Sequence, residues 1–269
     1  MVVFFRGLRD GLLTTRWPKH PDTYFDEFPA AVEVLPGSDH RAGHRDLLLR
    51  AVDAAARCPT AAIAVDEMPK LDRGKCILCG RCVATAPDWF AWAHGADTTR
   101  LRRDALMVSC VRETDEALDG VRTELAKRVR RLRRSVHLRH VDAGSDGSDE
   151  WEVQALTNPV YDLHRLGIFF TASPRHADIL LVTGVGAAGM TEPLRRTLDG
   201  MPRPTVVIAV GTDAISGGLV GGGYTGGTGI GDLLPVDVWV PGSPASPFSL
   251  LHGILLALGR LPAASRSVS

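Results

Sequence analysis

The chain has 269 residues, 45% of them hydrophobic, and its 31 basic residues balance its 31 acidic ones. This length allows two hydrophobic cores, and the balanced charge argues against a nucleic-acid partner. Its five cysteines, most of them in a ligand-like pattern, fit metal binding in a reducing compartment better than a disulfide framework. Residues 1–6 lack a signal peptide's apolar core, and no uncharged stretch reaches the roughly 20 residues that span a bilayer. We therefore expect a cytoplasmic protein, either soluble or peripheral on a membrane.

The first predicted element is a short amphipathic helix over residues 2–17. Apolar residues such as Phe5, Leu8 and Leu12 alternate there with Arg6 and Arg9. This pattern is typical of a helix that docks on a partner or lies on a membrane surface. The alternative is a helix that folds back on its own domain.

Four cysteines have the spacing of one cubane iron–sulfur site. Cys58 precedes Pro59, and Cys76, Cys79 and Cys82 form a C-x2-C-x2-C triplet. In bacterial ferredoxins such a triplet supplies three ligands, and a distant Cys-Pro supplies the fourth. Thiolates are soft ligands that suit iron, although two cysteine pairs can also hold a tetrahedral zinc ion. We predict that these four cysteines bind one [4Fe-4S] cluster.

A second cluster would need further cysteines in the same region. The corresponding positions hold Leu48, Ala51, Ala54 and Ala86, all of them apolar. The sequence therefore predicts a single cluster. Residues 46–57 are predicted to form a helix whose apolar stripe fills the space of the missing cluster.

A basic helix is predicted over residues 112–134, with its positive charges concentrated in residues 127–134. Such a charge run is usually a solvated helix face. Contact with an acidic partner or with anionic lipid headgroups is the alternative. Cys110, which precedes this helix, is left over from the cluster pattern and is expected to be a buried free thiol.

The remaining sequence alternates strand-like and helix-like segments. Strands are predicted at residues 136–141, 168–172, 179–183, 205–210 and 236–240, and helices at 152–166 (interrupted near 158–159), 191–198 and 247–258. This alternation predicts an α/β domain with an open, mostly parallel sheet that is covered on both faces. Such sheets bind ligands at the carboxyl ends of their strands.

Residues 184–189 match G-x-G-x-x-G, which allows a dinucleotide site because the motif follows a predicted strand and precedes a predicted helix. Asp213 lies at the end of the next strong strand.

The glycine run at residues 217–231 lacks the ending of a phosphate loop and is predicted to be a mobile surface loop. Three histidines are predicted to be structural: His137, His140 and His176.

Both halves of the chain resemble a known family. Residues 11–18, Gly-Leu-Leu-Thr-Thr-Arg-Trp-Pro, and the cysteine region resemble ferredoxin-like subunits of membrane-bound hydrogenases and complex I. The second half is similar to the B subunit of NADH–quinone oxidoreductase and the small subunit of group 4 [NiFe] hydrogenases. The matching stretches are residues 139–145, 151–159, 161–167, 172–184, 214–218 and 235–242.

This resemblance implies three regions. Residues 1–111 are expected to form an α+β ferredoxin-like domain, and residues 112–135 a basic helical linker. Residues 136–269 are expected to form the B-subunit-like domain, an α/β open sheet of flavodoxin-like type.

The resemblance also implies a proximal [4Fe-4S] cluster in the second domain, held by four cysteines in strand-end loops. The residues at these proximal-cluster positions are Asp146, Asp149, Asp213 and Ser243. Oxygen ligands have little affinity for a cubane, so we predict no cluster there. The carboxylates are expected to be solvated. Alternatively they converge and repel, which raises at least one pKa unless Mg²⁺, Ca²⁺ or an arginine such as Arg139 or Arg175 offsets them.

The resulting hypothesis is an electron-transfer subunit with one [4Fe-4S] cluster and no substrate chemistry of its own. The resemblance implies two kinds of partner: a hydrogenase large-subunit or complex I catalytic-subunit homologue, and membrane subunits of the same complex. It implies a peripheral location on the inner face of the cell membrane. The alternatives are a structural pseudo-subunit and a nucleotide-binding reductase that uses residues 184–189.

Overall fold

The computed structural model describes residues 11–26, 29–36, 44–109, 127 and 135–261. The first half of this described chain is an α+β arrangement of small sheets and helices. Its strands are β1 (Pro29–Val34), β2 (Ile63–Val65), β3 (Pro69–Asp72), β4 (Phe90–His94) and β5 (Met107–Ser109), and its helices are α1 (His44–Ala56) and α2 (Arg81–Thr85). Strand β1 pairs with β4, and β3 lies between β2 and β5; all these pairs are antiparallel.

Helix α1 confirms the helix predicted in this region, and its inner face is made of small side chains. Ala51 and Ala54 are fully buried and pack in one core with Ala86 and Trp89. The Trp89 Nε1–H donates to the carbonyl of Leu47 at 2.9 Å. Three of the positions where a second cluster would need cysteines thus hold buried alanines in a closed core.

The second half is α/β. Its strands are β6 (Val136–Asp142), β7 (Ile168–Phe170), β8 (Ile179–Thr183), β9 (Val206–Val210) and β10 (Val238–Val240), and its helices are α3 (Ser148–Ala155), α4 (Thr191–Asp199), α5 (Gly211–Ser216) and α6 (Pro247–Ala257). These strands form one sheet in the order β10-β9-β8-β6-β7, with every neighbouring pair parallel. This order is that of flavodoxin-like sheets, so the predicted α/β class is confirmed.

Strands β8 and β9 are buried along their whole lengths because protein covers both faces of the sheet. Alternate residues of β8 point into different cores: Leu181 packs in one with Phe248 of α6, and Leu180 packs in the other with Leu194 of α4. Continuous apolar strands of this kind are typical of parallel sheets.

The helix predicted at residues 152–166 is shorter in the structure. Helix α3 ends at Ala155, and the Asn158 side chain then accepts the N–H groups of Val160 at 2.9 Å and Tyr161 at 3.2 Å. An asparagine that bonds local amides in this way favours a turn over a helix. Short 3₁₀ turns occur here and elsewhere: Thr23–Asp26, Asp104–Leu106, Leu163–Leu166, Pro174–His176 and Ala188–Met190.

Residues 11–17 are not helical, so the predicted amphipathic helix is wrong for this stretch. The segment packs on the parallel-sheet half instead. The Thr14 hydroxyl donates to the carbonyl of Pro159 at 2.8 Å, and Trp17 is buried with its ring edge-on to Phe248 at 6.2 Å between centroids. Long-range contacts of this kind replace the local helix that periodicity indicated.

Three predictions lie wholly or largely outside the described residues. They are the first part of the amphipathic helix at residues 2–10, the basic helix at residues 112–134 except Lys127, and the free thiol of Cys110.

Candidate metal centre

All four predicted cysteine ligands line one pocket. Cys58 follows α1, Cys76 and Cys79 lie in the loop after β3, and Cys82 is in the first turn of α2. The pocket is small and opens in part to solvent. Cys82 is buried and Cys79 is exposed, so the thiols surround the pocket from its base to its rim.

Backbone amides point at two of these sulfurs. The N–H of Ala62 donates to Cys58 Sγ at 3.3 Å, and the N–H of Leu78 bonds the thiol of Cys76. Ala61 and Leu78 have φ of 48° and 54°, a region that residues other than glycine seldom adopt. The loop therefore holds an uncommon backbone conformation while its amides face sulfur. Hydrogen bonds to the sulfurs are among the features that set the potential of an iron–sulfur cluster.

The environment of the thiols favours their neutral forms. Burial raises the pKa of the Cys76 thiol to about 12, against the lowering effect of the Leu78 N–H, and the other three cysteines add to the rise. Burial also raises the pKa of Cys82. Cysteine must lose its proton to bind a metal, so a bound metal centre has to replace these protons.

The four thiols can be compared with the requirements of a single ion and of a cluster. Within the described residues, no three side chains of the His, Cys, Asp and Glu types converge closely enough to hold one metal ion. In a structural zinc site each cysteine sulfur lies about 2.3 Å from the ion. A cubane holds its irons at separate corners, so four thiols that line one pocket are compatible with a cluster.

The cysteine loop rests against the parallel-sheet half through two hydroxyls of α5. Thr212 Oγ1 lies 3.0 Å from the carbonyl oxygen of Cys76, and Ser216 Oγ donates to the carbonyl of Gly74 at 2.9 Å. The Thr212 hydroxyl also lies 3.0 Å from the carbonyl oxygen of Gly242, in the loop between β10 and α6. Helix α5 thus connects the cysteine loop to a strand-end loop of the sheet.

A second, smaller pocket, called the junction cavity below, lies at this junction. Arg73, Cys76 and Leu78 line it from the cysteine loop, and Pro241 and Gly242 line it from the sheet. Cys76 therefore lies between the cluster pocket and the junction. Arg73, Thr212 and Ser216 were not predicted as site residues, because their proximity to the cysteines arises only from the tertiary fold.

The proximal-cluster positions come together at the carboxyl edge of the sheet. Asp149 is in the first turn of α3, Asp213 is in the first turn of α5, and Ser243 lies just before α6. Asp149 is only 3% exposed, and its Oδ1 accepts the N–H of Ala245 at 2.9 Å. Its other oxygen packs directly against Gly211, where a Cβ would have no room. One carboxyl group thus connects the three strand-end loops.

Two of these carboxyl groups have raised pKa values. A rise was predicted for the alternative in which the carboxylates converge and repel each other, but burial is the main cause of the rise. Burial raises the pKa of Asp149 to about 8; the Ala245 N–H lowers it, and Glu150, Asp213 and Asp146 raise it further. Burial, with Asp146 and Glu150, raises the pKa of Asp213 to about 6. The hydroxyl and N–H of Ser148 lower the pKa of Asp146. Asp146 is exposed, as expected for a solvated carboxylate, whereas the same expectation is wrong for Asp149.

The described residues do not support the alternative in which a metal cation or an arginine offsets the charge of the three aspartates. They contain no three-ligand group at Asp146, Asp149 and Asp213, and neither Arg139 nor Arg175 lies within ion-pair distance of these carboxylates. Asp149 is held by the N–H of Ala245, and Asp146 by the N–H and hydroxyl of Ser148, rather than by a positive partner.

A polar chain next to Asp149 was missed by the sequence analysis. Thr183 donates its hydroxyl hydrogen to Glu150, and His140 Nε2 lies 3.0 Å from the Thr183 hydroxyl. Burial lowers the pKa of His140, with Glu150 and Asp142 acting in the opposite direction. The structural role predicted for His140 is consistent with this contact and stays a prediction.

The first two glycines of the G-x-G-x-x-G stretch are enclosed by other backbone, whereas a Cβ on Gly189 would meet no atom within 4 Å. A Cβ on Gly184 would meet Gly144, and a Cβ on Gly186 would lie 2.7 Å from the carbonyl oxygen of Gly229. A dinucleotide site needs these glycines to leave an open face for the pyrophosphate. Close packing of loops explains why residues 184 and 186 are glycines, so the first two glycines of the motif offer no open face to a nucleotide.

An open parallel sheet of flavodoxin-like order, with three loops joined at its carboxyl edge, defines the class of the second half. The family described as NADH ubiquinone oxidoreductase, 20 Kd subunit, matches residues 147–257. A probable membrane-bound hydrogenase subunit, mbhJ of Pyrococcus furiosus, is 38% identical over 144 residues, covering 52% of this chain and 86% of the relative. The chain therefore belongs to the family of NADH ubiquinone oxidoreductase 20 Kd subunits.

Formate hydrogenlyase subunit 7 of Escherichia coli is 36% identical over 159 residues, which are 59% of this chain. The chain spans 61% of the length of that relative. A chain of the archaeal membrane-bound sulfane sulfur reductase is similar in structure at a TM-score of 0.43 and 28% identity, covering 51% of this chain and 76% of that one. The family assignment rests on the sequence relatives alone.

Across the described ranges, every helix is too short or too polar to cross a bilayer.

Proposed function

We propose that this chain is an electron-transfer subunit of a membrane-associated oxidoreductase complex, with one [4Fe-4S] cluster held by Cys58, Cys76, Cys79 and Cys82. The observation that carries the proposal is the single pocket that these four thiols line, with backbone N–H groups directed at Cys58 and Cys76. Sulfur donors around an open space suit iron. When bound, such a cluster accepts and releases single electrons.

The residues of the chain have distinct roles in this proposal. The four cysteines hold the cluster, and the amides of Ala62 and Leu78 favour its negative charge by donating to sulfur. The alanines of the core leave no second set of thiolates. We propose no cluster at Asp146, Asp149, Asp213 and Ser243, because Asp149 is bonded to Ala245 and packed against Gly211.

The partners follow from the relatives. Relatives of this chain are described as a subunit of formate hydrogenlyase and as a probable subunit of a membrane-bound hydrogenase. By this similarity we propose that the chain docks on a hydrogenase large-subunit or complex I catalytic-subunit homologue and on membrane subunits. A peripheral position on the inner face of the cell membrane fits these partners.

Metal analysis of anaerobically purified protein tests the cluster. We expect about four irons per chain, the content of one cubane. Cys76→Ser should abolish the cluster spectrum, whereas Cys110→Ser, which removes the cysteine outside the ligand pattern, should leave iron and spectrum unchanged. About eight irons would contradict the account of the second half, and an iron-free protein would contradict the proposal itself.

A structural pseudo-subunit is the second candidate, favoured by the carboxyl group that occupies the proximal-cluster position at Asp149. It predicts the same iron content but no electron exchange with the partner subunits. EPR of the intact complex distinguishes the two, because only the first candidate predicts that the cluster signal changes when the partner is reduced or oxidised.

A further inference from the structure

Arg73 is a cation beside the cysteine loop for which the electron-transfer proposal gives no role. It follows β3 directly, and the N–H of Cys76 donates to its carbonyl at 3.3 Å, so a tight turn brings Arg73 next to the second cysteine. Its side chain lines the junction cavity together with Cys76.

The Arg73 side chain is held in one place. Its Nε donates to the carbonyl of Val32 at 3.0 Å, and its backbone N–H donates to the carbonyl of Leu106 at 2.9 Å. A guanidinium that is anchored at Nε keeps its charge at a fixed position.

No carboxylate among the described residues lies within ion-pair distance of Arg73, although Asp97 and Glu33 are near enough to raise its pKa. Asp97 pairs with Arg100 at 3.0 Å, and Asp72 pairs with Arg103 at 2.7 Å. Burial lowers the pKa of Arg73 to about 10, with Arg100 adding to the effect, so the group stays charged at neutral pH. Arg73 is only partly exposed, and a partly buried charge that forms no ion pair is stabilised when an anion binds beside it.

The geometry points to Arg73 as the fixed counter-ion of the cluster held by the four cysteines, a cation that raises the cluster's reduction potential. This inference rests on the proposed function. Four thiolates give the cluster a net negative charge, and reduction adds one more. A nearby cation therefore stabilises the reduced form more than the oxidised form.

A redox titration of the anaerobic full-length protein with dithionite and mediators tests this inference. Each reduction moves one electron from the mediator to the cluster, and no bond forms or breaks. At the wild-type midpoint potential, we expect Arg73→Gln to lower the ratio of reduced to oxidised cluster about tenfold, equivalent to 59 mV. Arg73→Lys keeps the charge and should stay close to the wild type.

Arg57→Gln is the matched control. Arg57 is adjacent in sequence to Cys58, but it is exposed and pairs with Asp53 at 2.9 Å. Solvent and the partner already screen its charge, so its removal should change the ratio much less. Equal shifts in Arg73→Gln and Arg57→Gln would overturn the assignment.

The iron-free protein provides a second readout that does not depend on loading. If Arg73 is a counter-ion, iron-free Arg73→Gln should unfold at the same or a higher denaturant concentration than the iron-free wild type. The iron-loaded variant should lose iron to a chelator several-fold faster than the iron-loaded wild type. Lower stability without iron, together with an unchanged rate of iron loss, would assign Arg73 a purely structural role. A wild type without iron would instead contradict the cluster proposal.

Discussion

The hydroxyl of Thr212 lies 3.0 Å from the carbonyl oxygen of Cys76, and this contact joins a predicted cluster ligand to the parallel-sheet half of the molecule. Thr212 directly precedes Asp213, one of the proximal-cluster positions. The cysteine loop and the carboxyl edge of the sheet are therefore direct neighbours. Changes on either side of the junction are expected to affect the other.

Removing the Thr212 hydroxyl tests this junction. Thr212→Val keeps the shape of the side chain but leaves the carbonyls of Cys76 and Gly242 without this donor. We expect a loss of about 1–2 kcal/mol in the free energy of unfolding and faster release of iron to a chelator.

Thr197→Val is the control for this substitution. The Thr197 hydroxyl is exposed and donates only to Pro193 within its own helix. We expect its stability to change by less than about 0.5 kcal/mol and its iron release to be that of the wild type. Equal effects of the two valines on iron release would contradict a role of Thr212 in holding the cysteine loop.

The buried carboxyl group of Asp149 predicts a dependence of stability on pH. Its pKa rises from an ordinary value of about 4 to about 8 in the folded chain. A raised pKa means that the folded state binds the proton more tightly than the unfolded state. Its contribution is therefore complete at low pH and is lost as the pH rises through the folded pKa.

For Asp149, denaturation at pH 6, 7 and 8 should show stability falling by up to about 1.4 kcal/mol per pH unit. Asp149→Asn keeps the carbonyl acceptor for Ala245 and should flatten this fall. Asp146→Asn serves as the opposite case: the pKa of Asp146 is lowered by Ser148, so its contribution is lost toward low pH. Because Asp213, with a pKa of about 6, also titrates near pH 6, the decisive interval is pH 7 to 8. A slope in this interval that persists in Asp149→Asn would contradict the assignment to Asp149.

Gly211 has to be a glycine because the Asp149 carboxyl group occupies the space of its Cβ. Its φ of 84° also disfavours any other residue. Gly211→Ala should therefore combine backbone strain of about 1–2 kcal/mol with a packing conflict of about 1–3 kcal/mol. Thermal or denaturant unfolding measures the sum.

Gly222→Ala isolates the backbone contribution in this comparison. Gly222 has a φ of 74°, but an added Cβ would meet no atom within 4 Å. It should lose only the strain energy. The double variant Gly211→Ala with Asp149→Ala should recover the packing part, because the two residues are in contact. Strict additivity of these two substitutions would argue against the contact.

Local patterns predicted the parallel sheet well. The β-branched and leucine-rich runs of β8 and β9 specify buried strands whatever their neighbours are, and their order along the chain suits a doubly wound sheet. The cysteine spacing likewise predicted which thiols share a pocket. In these cases residues close in sequence carry the signal.

Features that depend on distant contacts could not be predicted. Residues 11–17 have helical periodicity, but hydrogen bonds to residues 159 and 160 hold them in an irregular conformation. Arg73 and Thr212 carry no motif, and only the docking of α5 on the cysteine loop makes them neighbours of Cys76. Burial, not repulsion, dominates the pKa of Asp149, and burial is a property of the folded chain.

The ion pair between Asp72 and Arg103 fixes the start of the cysteine loop. Two hydrogen bonds of 2.8 and 2.7 Å join the groups, and Asp72, 6% exposed, also accepts the N–H of Gly74 at 2.8 Å. Arg103→Ala would leave a buried carboxylate with no cation, so we expect a loss of about 3 kcal/mol or more. The neighbouring Arg102 pairs with Asp104 in solvent, and Arg102→Ala should cost less than about 1 kcal/mol. Comparable losses in unfolding free energy would show that the Asp72 pair adds no more than a surface pair.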